Sequence, residues 1–171
     1  LKTIILNPNI SVSYAGGVDT AQKAIEELYK LENFEIGKIK SLLLKIHSEN
    51  DCETDFLIAS LENQPLLYKI SDNKIDVSNS FQWIGDIRGF NLFQKEYLPN
   101  LKSQDPKHIS TVHSNAFDKV IESDQIESVG GFHITAHRTK FGIEYLFKMS
   151  LNMGRSETMT LKQGTNIIPW G

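Results

Sequence analysis

The chain opens with two short runs in which apolar and β-branched residues dominate. Residues 3–6 ("TIIL") and 10–14 ("ISVSY") have the composition of strands, and the turn sequence "NPN" at 7–9 separates them. This pattern predicts a β-hairpin at the start of the chain.

The spacing of apolar residues changes from strand-like to helical after the Gly16-Gly17 pair. Asp19 or Thr20 is placed to cap a first helix, and a second helix follows it. The apolar positions of the two helices are Ala21, Ala24, Ile25, Leu28 and Leu31, then Ile36, Ile39, Leu42, Leu43 and Ile46.

Hairpins and helices then alternate in pairs along the rest of the chain. A polar loop is predicted over 48–55 and a turn at Asp72-Asn73. Strands are predicted at 56–60, 66–71, 74–78 and 81–85, helices around 89–101 and 108–122, and a last hairpin from 132–138 and 142–150 across 139–141.

This order of elements predicts an α+β fold. Strands come in antiparallel hairpins and helices in pairs, whereas a doubly wound sheet would alternate single strands with single helices. Helix layers covering stacked antiparallel sheets would also explain a strand as apolar as "FLIAS" at 56–60. We predict a single domain over residues 1–171.

Composition and charge exclude several function classes. The net charge is −3, the pI is about 6.0 and no Lys/Arg cluster stands out, so nucleic acid is not an expected partner. The single Cys52 rules out an internal disulfide and a Cys-based zinc site.

No membrane span, signal peptide, metal or cofactor is expected, and we predict a cytoplasmic protein. Because the chain begins "LKTIIL" without Met, we expect that an upstream piece was removed or left out.

Most residue types that could carry chemistry are interpreted as structural. The "AGGVDTA" corner lacks the spacing of a phosphate-binding loop and is interpreted as a tight turn. His133 and His137 share a predicted strand face but lie too far apart to chelate one metal. Cys52 lies in an acidic loop that would disfavour its thiolate.

The Gly130-Gly131 pair beside Glu127 leaves two interpretations open. Glycines that enter a strand mark a bulge or close backbone packing, and they also occur in the wall of an active site. The residues alone do not decide between the two.

The chain resembles the N-terminal nucleophile hydrolases, specifically the proteasome β-type subunits and their bacterial relatives. The likeness spans residues 2–148 and consists of motifs in the family's order. These are Lys2, Ala15-Gly16 and Asp19, then "FLIASLENQPLLYKIS", "WIGDI" and "ESVGGFHITAHRTKFGIEYL".

The resemblance implies a four-layer αββα sandwich of two antiparallel sheets between helix pairs, here without the family's first N-terminal hairpin. In that family the first residue of the mature chain attacks the amide carbonyl, and a nearby lysine lowers the pKa of that nucleophile. Lys2 matches this lysine. Leu1 has no nucleophilic atom, so the nucleophile is expected upstream and the chain as it stands is expected to be inactive.

Three positions depart from the family's catalytic pattern. Asp86 stands where the family has a serine, and Glu127 and Gly130 stand where it has an Asp followed by a Ser. The resemblance therefore implies catalytic positions at Lys2, Asp86, Glu127 and Gly130 in modified form. A carboxylate at position 86 could still bind a terminal ammonium.

Two functions follow as hypotheses. The intact gene product is a hydrolase of peptide or amide bonds, or it is an inactive relative that serves assembly. Both predict a homo-oligomer, either a ring or a smaller assembly. Apolar residues of the helix pairs are candidates for subunit contacts, although a core position explains them equally well. A Ser- or Cys-centred hydrolase independent of this family, with Cys52 as the residue to substitute, is the third alternative.

Overall fold

The computed structural model describes residues 2–62, 64–126 and 135–146, and it divides the chain into two compact units. Among these residues, the first unit has seven strands and two helices, and the second has a pair of helices. The single domain over 1–171 stays a prediction.

A five-stranded antiparallel sheet forms the centre of the first unit. Its strands lie in chain order, so that each one pairs with its sequence neighbour in the sheet. They are β1 (Thr3–Asn7), β2 (Ile10–Gly16), β3 (Thr54–Ser60), β4 (Leu66–Ser71) and β5 (Lys74–Ser78). The predicted strands at 3–6, 10–14, 56–60, 66–71 and 74–78 are thereby confirmed, with ends that move by at most two residues.

Two helices cover one face of this sheet: α1 (Val18–Tyr29) and α2 (Ile36–Glu49). Along β3 every second side chain is buried, beginning with Thr54 and including Phe56 and Ile58. These side chains pack with the apolar stripes of both helices, because strand side chains alternate between the two faces. The core cluster comprises Leu6, Ile10, Val12, Ala24, Leu28, Ile39, Leu43, Ile46, Phe56, Ile58, Tyr68 and Ile70.

The corner before α1 differs in detail from the sequence prediction. The N-cap of α1 is Gly17, with extended backbone, and Asp19 and Thr20 lie in the first turn of the helix. The prediction that Asp19 or Thr20 caps the helix was wrong. Thr54 Oγ1 instead donates to Gly17 O at 3.1 Å, which ties the start of the helix to β3.

The predicted loop at 48–55 is shorter than expected. Helix α2 continues to Glu49 and β3 already begins at Thr54, which leaves the connection to residues 50–53. Asp51 and Cys52 both have positive φ, at 52° and 59°, so two left-handed residues make the reversal compact.

The sheet ends at β5, and the predicted strand at 81–85 ("FQWIG") is not present. The Ser78 hydroxyl accepts hydrogen bonds from the backbone N–H groups of Ser80 and Phe81, both at 3.2 Å. This local turn ends the backbone hydrogen bonding of the sheet after β5. Ser side chains often have this effect, because their hydroxyls bond nearby backbone groups that would otherwise pair with a strand. Asp72 and Asn73 form the predicted turn between β4 and β5, with φ values of 51° and 58°.

A two-stranded antiparallel sheet completes the described part of the first unit. Its strands are β6 (Thr135–Thr139) and β7 (Gly142–Leu146), and Thr139 pairs with Gly142 across the turn. The predicted hairpin is confirmed within these residues, whereas 132–134 and 147–150 lie outside the described part.

The second unit contains α3 (Ile87–Asn100) and α4 (Pro106–Ile121), close to the predicted helices at 89–101 and 108–122. Pro106 begins α4, where a missing N–H is tolerated. Aromatic rings of the two helices meet, and the ring centroids of Phe93 and Phe117 are 4.8 Å apart.

The architecture is α+β, with one five-stranded antiparallel sheet, one two-stranded sheet and four helices in the described residues. The five-stranded sheet and the two helices α1 and α2 form one sheet layer covered by one helix layer. The finer prediction of four layers remains a prediction.

Candidate functional site

Lys2 lies immediately before β1, and its backbone continues the pairing with β2. The N–H of Tyr14 donates to Lys2 O at 2.9 Å, so Lys2 stands opposite Tyr14. Cross-strand neighbours share a face of the sheet, and Tyr14 packs against the core under the two helices. By this alternation Lys2 lies on the helix-covered face, at its margin, where its side chain is exposed.

Asp86 has a structural role at the start of α3. Its Oδ1 accepts from the N–H of Arg88 at 2.9 Å, which makes Asp86 the N-cap of the helix. Arg88 also donates to this carboxylate through Nη2, at 2.7 Å from Oδ2. The Asp86 side chain is only 14% exposed, so its charge is held in place by these partners.

We expect Asp86→Ala to lower the free energy of unfolding by about 1–2 kcal/mol, because the backbone N–H of Arg88 loses its acceptor. The bidentate ion pair with Arg88, whose own side chain is largely exposed, contributes up to about 1 kcal/mol of this loss. Urea unfolding of Asp86→Ala and Asp86→Ser measures the effect, and the Ser variant, which retains a capping oxygen but not the ion pair, should be more stable than the Ala variant. Equal stability of the Ala variant and the parent would contradict the capping role.

Glu127 and Gly130 lie outside the described residues, and Lys2 and Asp86 belong to different units. The catalytic assignment of all four positions therefore stays a prediction. The four positions were inferred from a resemblance, and the local structure adds a definite role only for Asp86.

The other residues considered for chemistry have structural surroundings. Within the described residues, no group of three or more His, Cys, Asp or Glu side chains could hold a metal ion. Cys52 is half-buried in the left-handed turn after α2. His47 is fully buried and both of its ring nitrogens are hydrogen-bonded, to Thr54 O at 2.8 Å and to Asn73 N at 3.2 Å.

Sequence reasoning missed a group of hydroxyls along β1. Thr3 Oγ1 and Ser13 Oγ lie 2.9 Å apart on the face of the sheet opposite to α1 and α2. The Tyr145 hydroxyl of β7 contacts the backbone of Thr3 and Ile5. Burial raises the pKa of Tyr145 above its ordinary value. The alternation of β1 and β2 could have paired Thr3 with Ser13, but nothing local indicates a partner 140 residues away.

Comparison with known proteins supports the fold. No protein-family model matches the chain, and no curated protein sequence matches it. Among solved structures, the chain is similar to the crystal structure of eukaryotic HslV from Trypanosoma brucei, with a TM-score of 0.52 and 14% sequence identity. The match covers 77% of this chain and 76% of the HslV chain.

The chain therefore has a fold similar to that of HslV. HslV from Trypanosoma brucei is the structure that carries this conclusion, and at 14% identity it does so for the fold alone. The described helices include none with the length and hydropathy needed to cross a bilayer.

Proposed function

We propose that this chain belongs to a proteasome-like N-terminal nucleophile hydrolase that cleaves peptide or amide bonds. The observation that carries the proposal is the similarity of fold to HslV over 77% of the chain. In the family that the sequence resembles, the nucleophile is the first residue of the mature chain, and here it would precede Leu1 in the intact gene product. The proposal includes a cytoplasmic location.

Lys2 is the residue proposed to support that nucleophile. An ammonium close to a hydroxyl or thiol favours the deprotonated form, and so makes the group a better nucleophile at neutral pH. Lys2 is held at the start of β1 by its backbone hydrogen bond to Tyr14, and its side chain is exposed.

In the intact gene product we expect Lys2→Ala to reduce hydrolysis of a peptide amide substrate by about 100-fold or more, because an activated nucleophile depends on its neighbouring charge. Steady-state kinetics measures the loss. Lys23→Ala is the matched control, since Lys23 is an exposed lysine of α1.

The same preparation tests the class of enzyme. An electrophilic inhibitor that traps N-terminal nucleophiles should label the first residue of the mature protein. Unchanged hydrolysis by the Lys2→Ala variant would remove Lys2 from the site. The proposal would be wrong if the gene encoded no Thr, Ser or Cys that processing could expose upstream of Leu1.

The second candidate is a non-catalytic subunit that uses the fold for assembly. It is favoured by Asp86, whose carboxylate caps α3 and pairs with Arg88, and by the position of Lys2 on the helix-covered face. An intact protein that assembles into rings or smaller oligomers but resists labelling would support this candidate. Mass measurement in solution at micromolar concentration decides the assembly, and a monomer would contradict it.

A further inference from the structure

Strand β1 has one edge that β2 does not cover. The bond from Tyr14 N to Lys2 O shows that the backbone groups of Lys2, and hence those of Ile4, point towards β2. The backbone groups of Thr3 and Ile5 therefore point away from β2, towards the outer edge of the sheet. An edge of this kind must be satisfied by water or by another part of the chain.

The hydroxyl of Tyr145 satisfies two of these backbone groups, the C=O of Thr3 and the N–H of Ile5. It donates its proton to Thr3 O at 2.8 Å and accepts the N–H of Ile5 at 3.2 Å. A phenol hydroxyl can do both at once, since it carries one donor and two lone pairs. The side chain thus supplies two of the hydrogen bonds that a pairing strand would make at this edge.

A second attachment fixes the other end of the hairpin. The N–H of Ile143 donates to Pro8 O at 2.7 Å, at the turn between β1 and β2. Gly142 packs so closely there that a Cβ would lie 2.6 Å from Pro8 Cβ, and its φ is +124°. The β6–β7 hairpin is therefore attached at two points, to β1 through Tyr145 and to the β1–β2 turn through Ile143, and the Tyr145 attachment is the one near Lys2.

We infer that Tyr145 is a positioning residue: its hydroxyl fixes the backbone of Thr3 and Ile5, and through it the strand end that carries Lys2. The importance of Lys2 rests on the proposed function. The clamp, by which we mean the two hydrogen bonds of the Tyr145 hydroxyl to Thr3 O and Ile5 N–H, rests on the structure alone. Burial raises the pKa of Tyr145, which agrees with a neutral hydroxyl that donates its proton to Thr3 O. Thr3 is adjacent to Lys2 in the chain. Without the hydrogen bond to Thr3 O, the backbone at Thr3 would be more mobile, and the direction of the Lys2 side chain would vary more.

Tyr145→Phe tests the clamp by hydrogen exchange, read by NMR on the full chain. We expect the amide of Ile5 to exchange about five- to tenfold faster, as the loss of one neutral hydrogen bond allows. The amides of Ile58 and Ile70, in the centre of the sheet, should be unchanged and so report that the protein is folded. Tyr29→Phe is the matched control because Tyr29 is an exposed tyrosine, 58% accessible, at the end of α1. Unchanged exchange at Ile5 would overturn the inference.

Kinetics of the intact gene product separate the positioning role from a purely structural one. Misplacement of Lys2 should lower kcat by roughly tenfold with KM unchanged, since positioning acts on the reacting geometry rather than on substrate binding. Fast exchange at Ile5 with unchanged kcat would overturn the positioning role. A parent protein without any hydrolysis would contradict the proposed function, while the exchange result would still decide for or against the clamp.

Discussion

We expect Gly16→Ala to be the most destabilising of the substitutions proposed for this chain, with a loss of more than about 3 kcal/mol in the free energy of unfolding. A Cβ at position 16 would lie 2.0 Å from Glu53 O and 3.0 Å from Thr54 Cα. Both are backbone atoms at the start of β3, the strand that pairs with β2. The φ of Gly16 is +116°, a conformation that residues with a side chain rarely adopt. Chemical unfolding or, if the variant is insoluble, its soluble yield measures the effect.

Gly37→Ala is the matched control for this prediction. Gly37 lies in the first turn of α2, and a Cβ there would meet no atom within 4 Å. Alanine should raise the free energy of unfolding by about 0.5–1 kcal/mol, because it restricts the unfolded chain and favours the helix. Equal effects of the two substitutions would contradict the steric explanation of the Gly16 corner.

The second large effect is expected for His47→Ala, which should lower the free energy of unfolding by about 2–4 kcal/mol. The ring is fully buried and joins three parts of the first unit: α2, the start of β3 and the turn before β5. Since Thr54 O can only accept and Asn73 N–H can only donate, Nδ1 carries the proton and Nε2 accepts. The substitution would leave a cavity and remove the ring partners of both backbone groups.

Urea unfolding of His47→Ala and of His137→Ala provides the measurement. His137 is exposed on β6, so its replacement should change stability by no more than about 0.5 kcal/mol. If His47→Ala lowered the free energy of unfolding as little as His137→Ala, water would be able to replace the buried ring without loss of stability. The buried bridge between Thr54 and Asn73 would then have no stabilising role.

The elements of the fold could be predicted where local pattern and tertiary packing agree. The β4–β5 hairpin was predicted to the residue, because Asp72-Asn73 tolerates the left-handed backbone that a two-residue turn needs. The predicted strand at 81–85 failed because the Ser78 hydroxyl competes with strand pairing, and an apolar run alone does not reveal that competition. His47 falls four residues after the buried Leu43, so helical spacing could have indicated its burial, but its two partners are in distant segments.

The two described residues of the candidate site differ in how far their positions could be predicted from neighbouring residues. Asp86 stands before a helical pattern, so its capping role follows from an ordinary sequence signal, although the resemblance drew attention to catalysis instead. The face on which Lys2 lies depends on its pairing with Tyr14, which is set by the register of β1 on β2. Register moves every side chain of a strand to one face or the other, and it is fixed by the turn and the buried partners together.

The amino-acid sequence by itself determined the order of hairpins and helix pairs, the apolar faces of α1 and α2, and the need for glycine between β2 and α1. These depend on periodicity and backbone preference, which act over a few residues. Only the tertiary structure decided that Tyr145 binds Thr3 O and Ile5 N–H at the outer edge of β1, and that His47 joins α2 to the start of β3 and to the turn before β5. Such contacts join residues far apart in the chain, and their geometry exists only once the sheet register and the helix packing are in place.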